Sequence, residues 1–257
     1  MEYVLICIVA FLASVLTLFS GFGLGTILVP VFALFFPIDF SIVCTAIVHF
    51  LNNFFKLLLV GEHADRKTVL RFGIPAIIFS FLGAMLLSGF SNFEPIATYQ
   101  ISNNEFEVTP AKLTIGILVF LFALLEVIPK YSSLAFDRKY LCVGGILSGF
   151  FGGLSGNQGA LRSAFLVKAN LSKEGFIATG VVIACLVDLS RLSVYAQKIV
   201  SLQGDLNYTL MMLATISAFI GTYLGNKFIK KTTINFLKKV VTVMLLLFSV
   251  LLATGII

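Results

Sequence analysis

Gly152-Gly153-Leu154-Ser155-Gly156-Asn157-Gln158-Gly159 breaks an otherwise apolar stretch with almost no polar spacer, and Ser20-Gly21-Phe22-Gly23-Leu24-Gly25 does the same about 135 residues earlier. The neighbourhoods of the two segments also correspond. Cys7, Ser20, Gly21, Asn53 and Lys56 stand opposite Cys142, Ser155, Gly156, Asp188 and Arg191 at an offset of 135. Phe81-Leu82-Gly83 stands opposite Phe219-Ile220-Gly221 at 138, and Thr45 opposite Thr179 at 134. A glycine-interrupted apolar segment at the same place in two halves of a chain is the sequence mark of a carrier whose substrate site lies near the bilayer midplane.

Composition sets the class. With 59% apolar and 12% charged residues, 257 residues cannot make a water-soluble surface. The chain is expected to be all-α and polytopic, a single membrane domain over 1–257 with a first repeat at 1–128 and a second at 140–257. The N-terminus carries Glu2 and no basic cluster, so it lacks the opening of a cleaved signal peptide and is expected to stay in place. Cys7, Cys44, Cys142 and Cys185 lie within apolar runs without CxxC spacing, which favours packing roles over disulfides or a metal site.

Apolar runs fall near 3–19, 21–36, 41–60, 69–90, 112–128, 140–154, 160–167, 175–196, 207–226 and 240–257. Charge decides how many cross. If each glycine-broken pair is a re-entrant, V-shaped hairpin, the loops near 61–71, 129–139, 168–174 and 226–239 share one face and hold thirteen Lys and Arg, while the opposite face holds the acidic loop of Glu94, Glu105 and Glu107. The positive-inside rule makes the basic face cytoplasmic, in a multi-pass protein of the cell (inner) membrane. Each repeat is then a hairpin plus three transmembrane helices, and the two repeats are inverted copies. Full crossing by the second pair would carry the lysine-rich loop at 226–239 to the outer face and abolish this asymmetry; for the first pair, full crossing is the open alternative to a re-entrant hairpin.

A helix that begins in mid-membrane presents unpaired N–H groups and the positive end of its dipole, which suits an anion. Gly23, Gly25 and Thr26 open one such half-helix and Gly159 the other, with Ser155, Asn157 and Gln158 as neutral hydrogen-bonding groups. The competing reading of these glycines is close helix packing. Arg162, within about a turn of the second break, tips the choice, because a charge at that depth costs ~2.5–3.5 kcal/mol unless paired. His49, Asn52, Asn53 and Lys56 recur at helical spacing, and Asp188 and Arg191 occupy the matching helix of the other half. Lys56, Arg162 and Arg191 against Asp188 leave two positive charges for a small anionic substrate. The alternative for Lys56 and Arg191 is that both snorkel to the interface. His49 and Asp188 are the candidates for proton coupling.

The segment from Ser20 through Gly25, continued by Thr26-Ile27-Leu28-Val29-Pro30, resembles the glycine-rich segment of the TauE/SafE sulfite exporter family, also called the toluene sulfonate uptake permease family, and residues 143–159 resemble its second copy. The resemblance spans nearly the whole chain. It implies a permease for sulfur-containing anions such as sulfite, an organosulfonate or thiosulfate. The second copy departs from the family pattern: Gly156-Asn157-Gln158-Gly159-Ala160-Leu161-Arg162-Ser163 stands where a glycine run and Val-Pro are expected.

The resulting expectation is a permease working by alternating access and exporting its anion, since a bare anion leaves an interior-negative cell downhill by ~2.3 kcal/mol per charge per 100 mV. An anion-selective channel of the same architecture and a membrane-embedded structural component are the alternatives. No P-loop, Ser-His-Asp set, HExxH or paired carboxylates points to an enzyme, and no cofactor is implied. Membrane lipids are expected partners, especially of the lysines at 227–239; nucleic acid is not, and a homo-oligomer stays open.

Overall fold

A computed structural model describes residues 2–20, 24–90, 93–128, 134–201, 207–228 and 231–257. The described chain is helical apart from one hairpin. Its helices are α1 (Glu2–Ser20), α2 (Leu24–Ala33), α3 (Ile38–Val60), α4 (Arg66–Phe90), α5 (Pro110–Val127), α6 (Leu141–Ser155), α7 (Gly159–Leu166), α8 (Lys173–Ser201), α9 (Tyr208–Phe228) and α10 (Lys231–Ala253). Between α4 and α5, strands β1 (Ala97–Ile101) and β2 (Asn104–Val108) pair antiparallel.

Helix starts coincide with capping side chains placed where apolar runs meet polar loops. Asp65 accepts from the Thr68 N–H at 2.8 Å, Thr109 from Lys112 at 3.2 Å, Ser172 from Gly175 at 3.0 Å and Asn207 from Leu210 at 3.0 Å. Each satisfies an N–H that the first turn leaves without a partner. Among the described residues, four helices carry stretches long and apolar enough to cross a bilayer, at Phe40–His63, Arg66–Phe90, Lys173–Ala196 and Tyr208–Gly225. The apolar portions of α5 and α10, Pro110–Leu125 and Val241–Ala253, are shorter.

The second glycine segment breaks a helix, and the first lies between the end of α1 at Ser20 and the start of α2 at Leu24. The α6 helix stops at Ser155, Gly156 turns left-handed at φ 77°, and α7 starts at Gly159. The second arms, α2 with 10 residues and α7 with 8, extend about 15 and 12 Å at ~1.5 Å per residue, roughly half of a ~30 Å hydrocarbon core. The α6–α7 pair returns to where it began: Phe136 N–H donates to Ala164 O at 3.0 Å, and Asp137 bridges Lys168, with an ion pair at 3.7 Å. Asp65 joins this end through the Thr179 hydroxyl and, at 4.0 Å, Arg138. Tyr3 of α1 and Phe35 and Phe36 after α2 pack against one apolar cluster that includes Leu210.

The α4 helix runs from Arg66 to Phe90, and beyond Phe90 the β-hairpin meets the residues after α10 through Tyr99 O–H to Thr254 O at 2.6 Å. The loops of Arg66 and Arg138 and the hairpin of Glu105 and Glu107 therefore cap opposite ends of the bundle. Glu105 and Glu107 of the acidic loop lie on β2 of this hairpin.

Packing between the halves is reciprocal. The α4 helix runs along α6, α9 along α1, α5 along α10, and α3 along α8. Gly83 lies so close to α6 that a Cβ would stand 2.2 Å from Phe150 O, and Gly221 so close to α1 that one would stand 2.3 Å from Phe11 O. The two glycines paired by the 138-residue offset thus perform the same task, admitting the first arm of the other half at backbone contact.

Candidate functional site

Crossing of α3 and α8 brings the intramembrane polar residues together beside the α6–α7 break. Asp188 is fully buried on α8 and is the centre of the group. His49 Nδ1 lies 2.6 Å from its Oδ2, Asn53 Nδ2 donates to the same oxygen at 2.9 Å, and Gln158 Nε2 donates to Oδ1 at 3.4 Å. Arg191 Nε, one turn along α8, is 3.2 Å from Oδ1. Arg162 Nη1 donates to Gln158 Oε1 at 3.1 Å, which ties α7 to the carboxylate through the break. Lys56 lies within electrostatic reach of Arg162 and Asp188.

Burial settles the snorkelling alternative. Lys56 is 4% and Arg191 1% exposed, so neither side chain reaches an interface. The group holds Lys56, Arg162 and Arg191 against one carboxylate, an excess of cationic side chains in a medium that penalises unpaired charge.

The break itself presents unsatisfied donors. Arg191 Nη2 is buried without a hydrogen-bond partner, as are both side-chain atoms of Asn157, a residue only 3% exposed. Buried amides and guanidinium groups are rarely left so. Gly156 carries no side chain where a Cβ would come within 3.0 Å of Arg191 Nη1. The first hairpin meets the same place, because a Cβ on Gly25 would lie 3.4 Å from Gly156 O and 3.7 Å from His49 Cδ2. The start of α2, the apex of α6–α7 and the imidazole thus converge.

The structure brings together His49, Asn53, Lys56, Gln158, Arg162, Asp188 and Arg191, with Gly25 and Asn157 at their edge. Thr26 is buried on α2 beside Gly25, and Gly159 is buried at the start of α7. Ser155 turns its hydroxyl back to Phe151 O at 3.0 Å. Gly23 lies outside the described residues. Asn52 leaves the face expected for it: it accepts from the Thr222 hydroxyl of α9 at 2.9 Å. Three residues on from His49, it is turned ~60° to one side, toward α9, whereas Asn53 faces α8. Two contributors escaped the sequence reading of the site, Gly156 and the α8 residue Cys185, which lies in the field of Asp188, Arg162 and Lys56. Among the described residues no group of three His, Cys, Asp or Glu is placed to hold a metal ion.

The buried polar residues of this multi-helix apolar bundle thus gather where α7 and α2 begin. The family model for the sulfite exporter TauE/SafE matches residues 6–252, and the chain belongs to that family of membrane transporters. No curated protein and no solved structure matches it.

Proposed function

We propose that the protein is a permease for a small sulfur-containing anion, such as sulfite, an organosulfonate or thiosulfate, bound at the α6–α7 break. The observation that carries this reading is a fully buried guanidinium with an unpartnered Nη2, packed against the glycine apex next to an Asn157 whose amide has no partner at either end. An oxyanion accepts from several donors at once and supplies the missing negative charge. The α7 N-terminus adds backbone donors and the favourable end of its dipole.

Two re-entrant hairpins entering from opposite faces, each followed by three crossing helices, make inverted repeats around this site. The return of α7 to the Asp137 end and the reciprocal use of Gly83 and Gly221 support that reading. The basic end is cytoplasmic by the positive-inside rule, in the inner membrane, where the lysines at 227–239 meet lipid head groups. Rocking of the halves about the breaks exposes the site to each side in turn. A bare anion then leaves the cell down the potential.

The test is anion-dependent thermal stabilisation in detergent with sulfite, thiosulfate, sulfoacetate and taurine. A ligand at 100 times its Kd stabilises by about 2.7 kcal/mol, enough to move the melting temperature visibly. Stabilisation by one of these in the wild type, lost in Arg191→Gln, is expected. Equal stabilisation of both proteins, or none by any of the four, would contradict the site.

A further inference from the structure

We propose that the carrier moves one proton with each anion, held on the His49 imidazole with Asp188 as its fixed counter-charge. This rests on the anion-permease reading and amends its directional part.

Geometry assigns the tautomer. Asp188 accepts from Asn53 and Gln158 and is ion-paired with Arg191 Nε at 3.2 Å, so it serves as an ionised carboxylate, which makes the His49 Nδ1 at 2.6 Å the donor. With Nδ1 donating, the proton acceptor left on the ring is Nε2; the Asn53 amide nitrogen lies 3.2 Å from Nδ1 and 3.5 Å from Nε2. The imidazole presents Cδ2, at 3.7 Å, and Cγ, at 3.9 Å, to the Cβ position of Gly25, which lies 3.4 Å from Gly156 O, so Nε2 is one bond from the ring carbon that meets the junction of the two helices. A proton on Nε2 therefore sits beside the space assigned to the anion, while Nδ1–H remains on Asp188.

Charge makes the two ligands cooperate. The groups facing the pair are Lys56 on its own helix α3, Arg162 from α7, and Arg191 and Cys185 from α8. The α4 helix offers Ser80, bonded to Val187 O, and α9 offers Thr222, bonded to Asn52. With three cationic side chains and one carboxylate, an additional imidazolium is opposed while the site is empty. A bound anion offsets that repulsion, so it favours the proton, and by linkage the proton favours the anion equally. The step is one N–H bond: Nε2 takes a proton from water on one side and returns it on the other with the anion. Net flow then follows the pH gradient as well as the anion gradient and the potential.

The test uses proteoliposomes with an entrapped pH dye and the potential clamped by potassium and valinomycin, while anion entry is measured independently by ion chromatography. Thiosulfate, sulfoacetate and isethionate serve as probes, because sulfite itself titrates near neutrality. The wild type is expected to deliver about one proton per anion and to bind up to about tenfold more tightly per unit fall in pH above the imidazole's titration. In His49→Gln the ratio is expected to fall to zero, whatever anion flux remains. Anion entry into wild-type vesicles without acidification of the lumen would overturn the proposal and leave the permease reading intact. Unchanged coupling in His49→Gln would overturn the assignment to His49. Absence of flux with all three probes would overturn both readings.

Discussion

A β-carbon on Gly156 would stand 3.0 Å from Arg191 Nη1, so the apex of the second hairpin and a fully buried guanidinium are in direct contact. Gly156 also holds φ 77°, a conformation that costs an L-residue ~1–2 kcal/mol. Gly156→Ala is therefore expected to lower stability by about that amount and to displace the guanidinium. Transport should fall at least about tenfold, a change that needs only ~1.4 kcal/mol of lost anion binding. Thermal melts and vesicle flux on the same preparation separate the two effects.

Asp188 meets four side chains on α3, α8 and the break: it accepts from Asn53 and Gln158, lies 2.6 Å from His49 Nδ1 and is ion-paired with Arg191 Nε at 3.2 Å. Asp188→Asn leaves Arg191 buried without its carboxylate, and breaking a buried pair by removing one partner costs ~3–5 kcal/mol. The double variant Asp188→Asn, Arg191→Gln removes both charges and is expected to recover most of the lost stability without recovering transport. A double-mutant cycle on melting temperature reads the coupling.

Reciprocal packing at Gly83 and Gly221 gives a matched pair of variants. Valine at either position drives a side chain into backbone at the 2.2 and 2.3 Å contacts, and overpacking of this kind costs ~1–3 kcal/mol or more. Both variants should melt lower by similar amounts. Gly89→Val, where no atom lies within 4 Å, should melt like the wild type.

Asp65 caps α4 at the basic end, and the Thr68 side chain, then its backbone N–H, with Arg138 beyond, hold the Asp65 carboxyl below the usual carboxylate range. A carboxyl lowered on folding adds stability above its unfolded value and loses it as pH falls through its folded value. Asp65→Ala should cost about 1 kcal/mol at neutral pH, as N-cap removals do. The difference between variant and wild type should vanish in acid below the folded value, in melts run at neutral and acid pH.

The helices were legible because apolar runs set by bilayer thickness are hard to read otherwise, and the break at Gly156 because no other stretch of the second half concentrates glycine and amide so densely. The Asp188–Arg191 pair was legible as an i, i+3 spacing. The bonds from His49 and Asn53 to Asp188 were not, since they depend on how far α3 slides along α8, which no local pattern encodes. For the same reason sequence placed the decisive cation at Arg162, next to the break, whereas the guanidinium with an unpartnered nitrogen is Arg191, brought there by tertiary packing. The β-hairpin had a signal that acidity masked. Tyr99 and Ile101 alternate with polar residues, as do Phe106 and Val108, and they flank a turn in which Ser102 takes φ 56°.

Counterflow in proteoliposomes tests the central claim most directly. Vesicles loaded with the unlabelled anion that stabilises the protein are diluted into a trace of the labelled form. A carrier that binds the anion at the α6–α7 break and exposes it to each side in turn predicts transient accumulation of label above equilibrium, abolished in Arg191→Gln. Label that only approaches equilibrium, or an overshoot that survives the substitution, would contradict it.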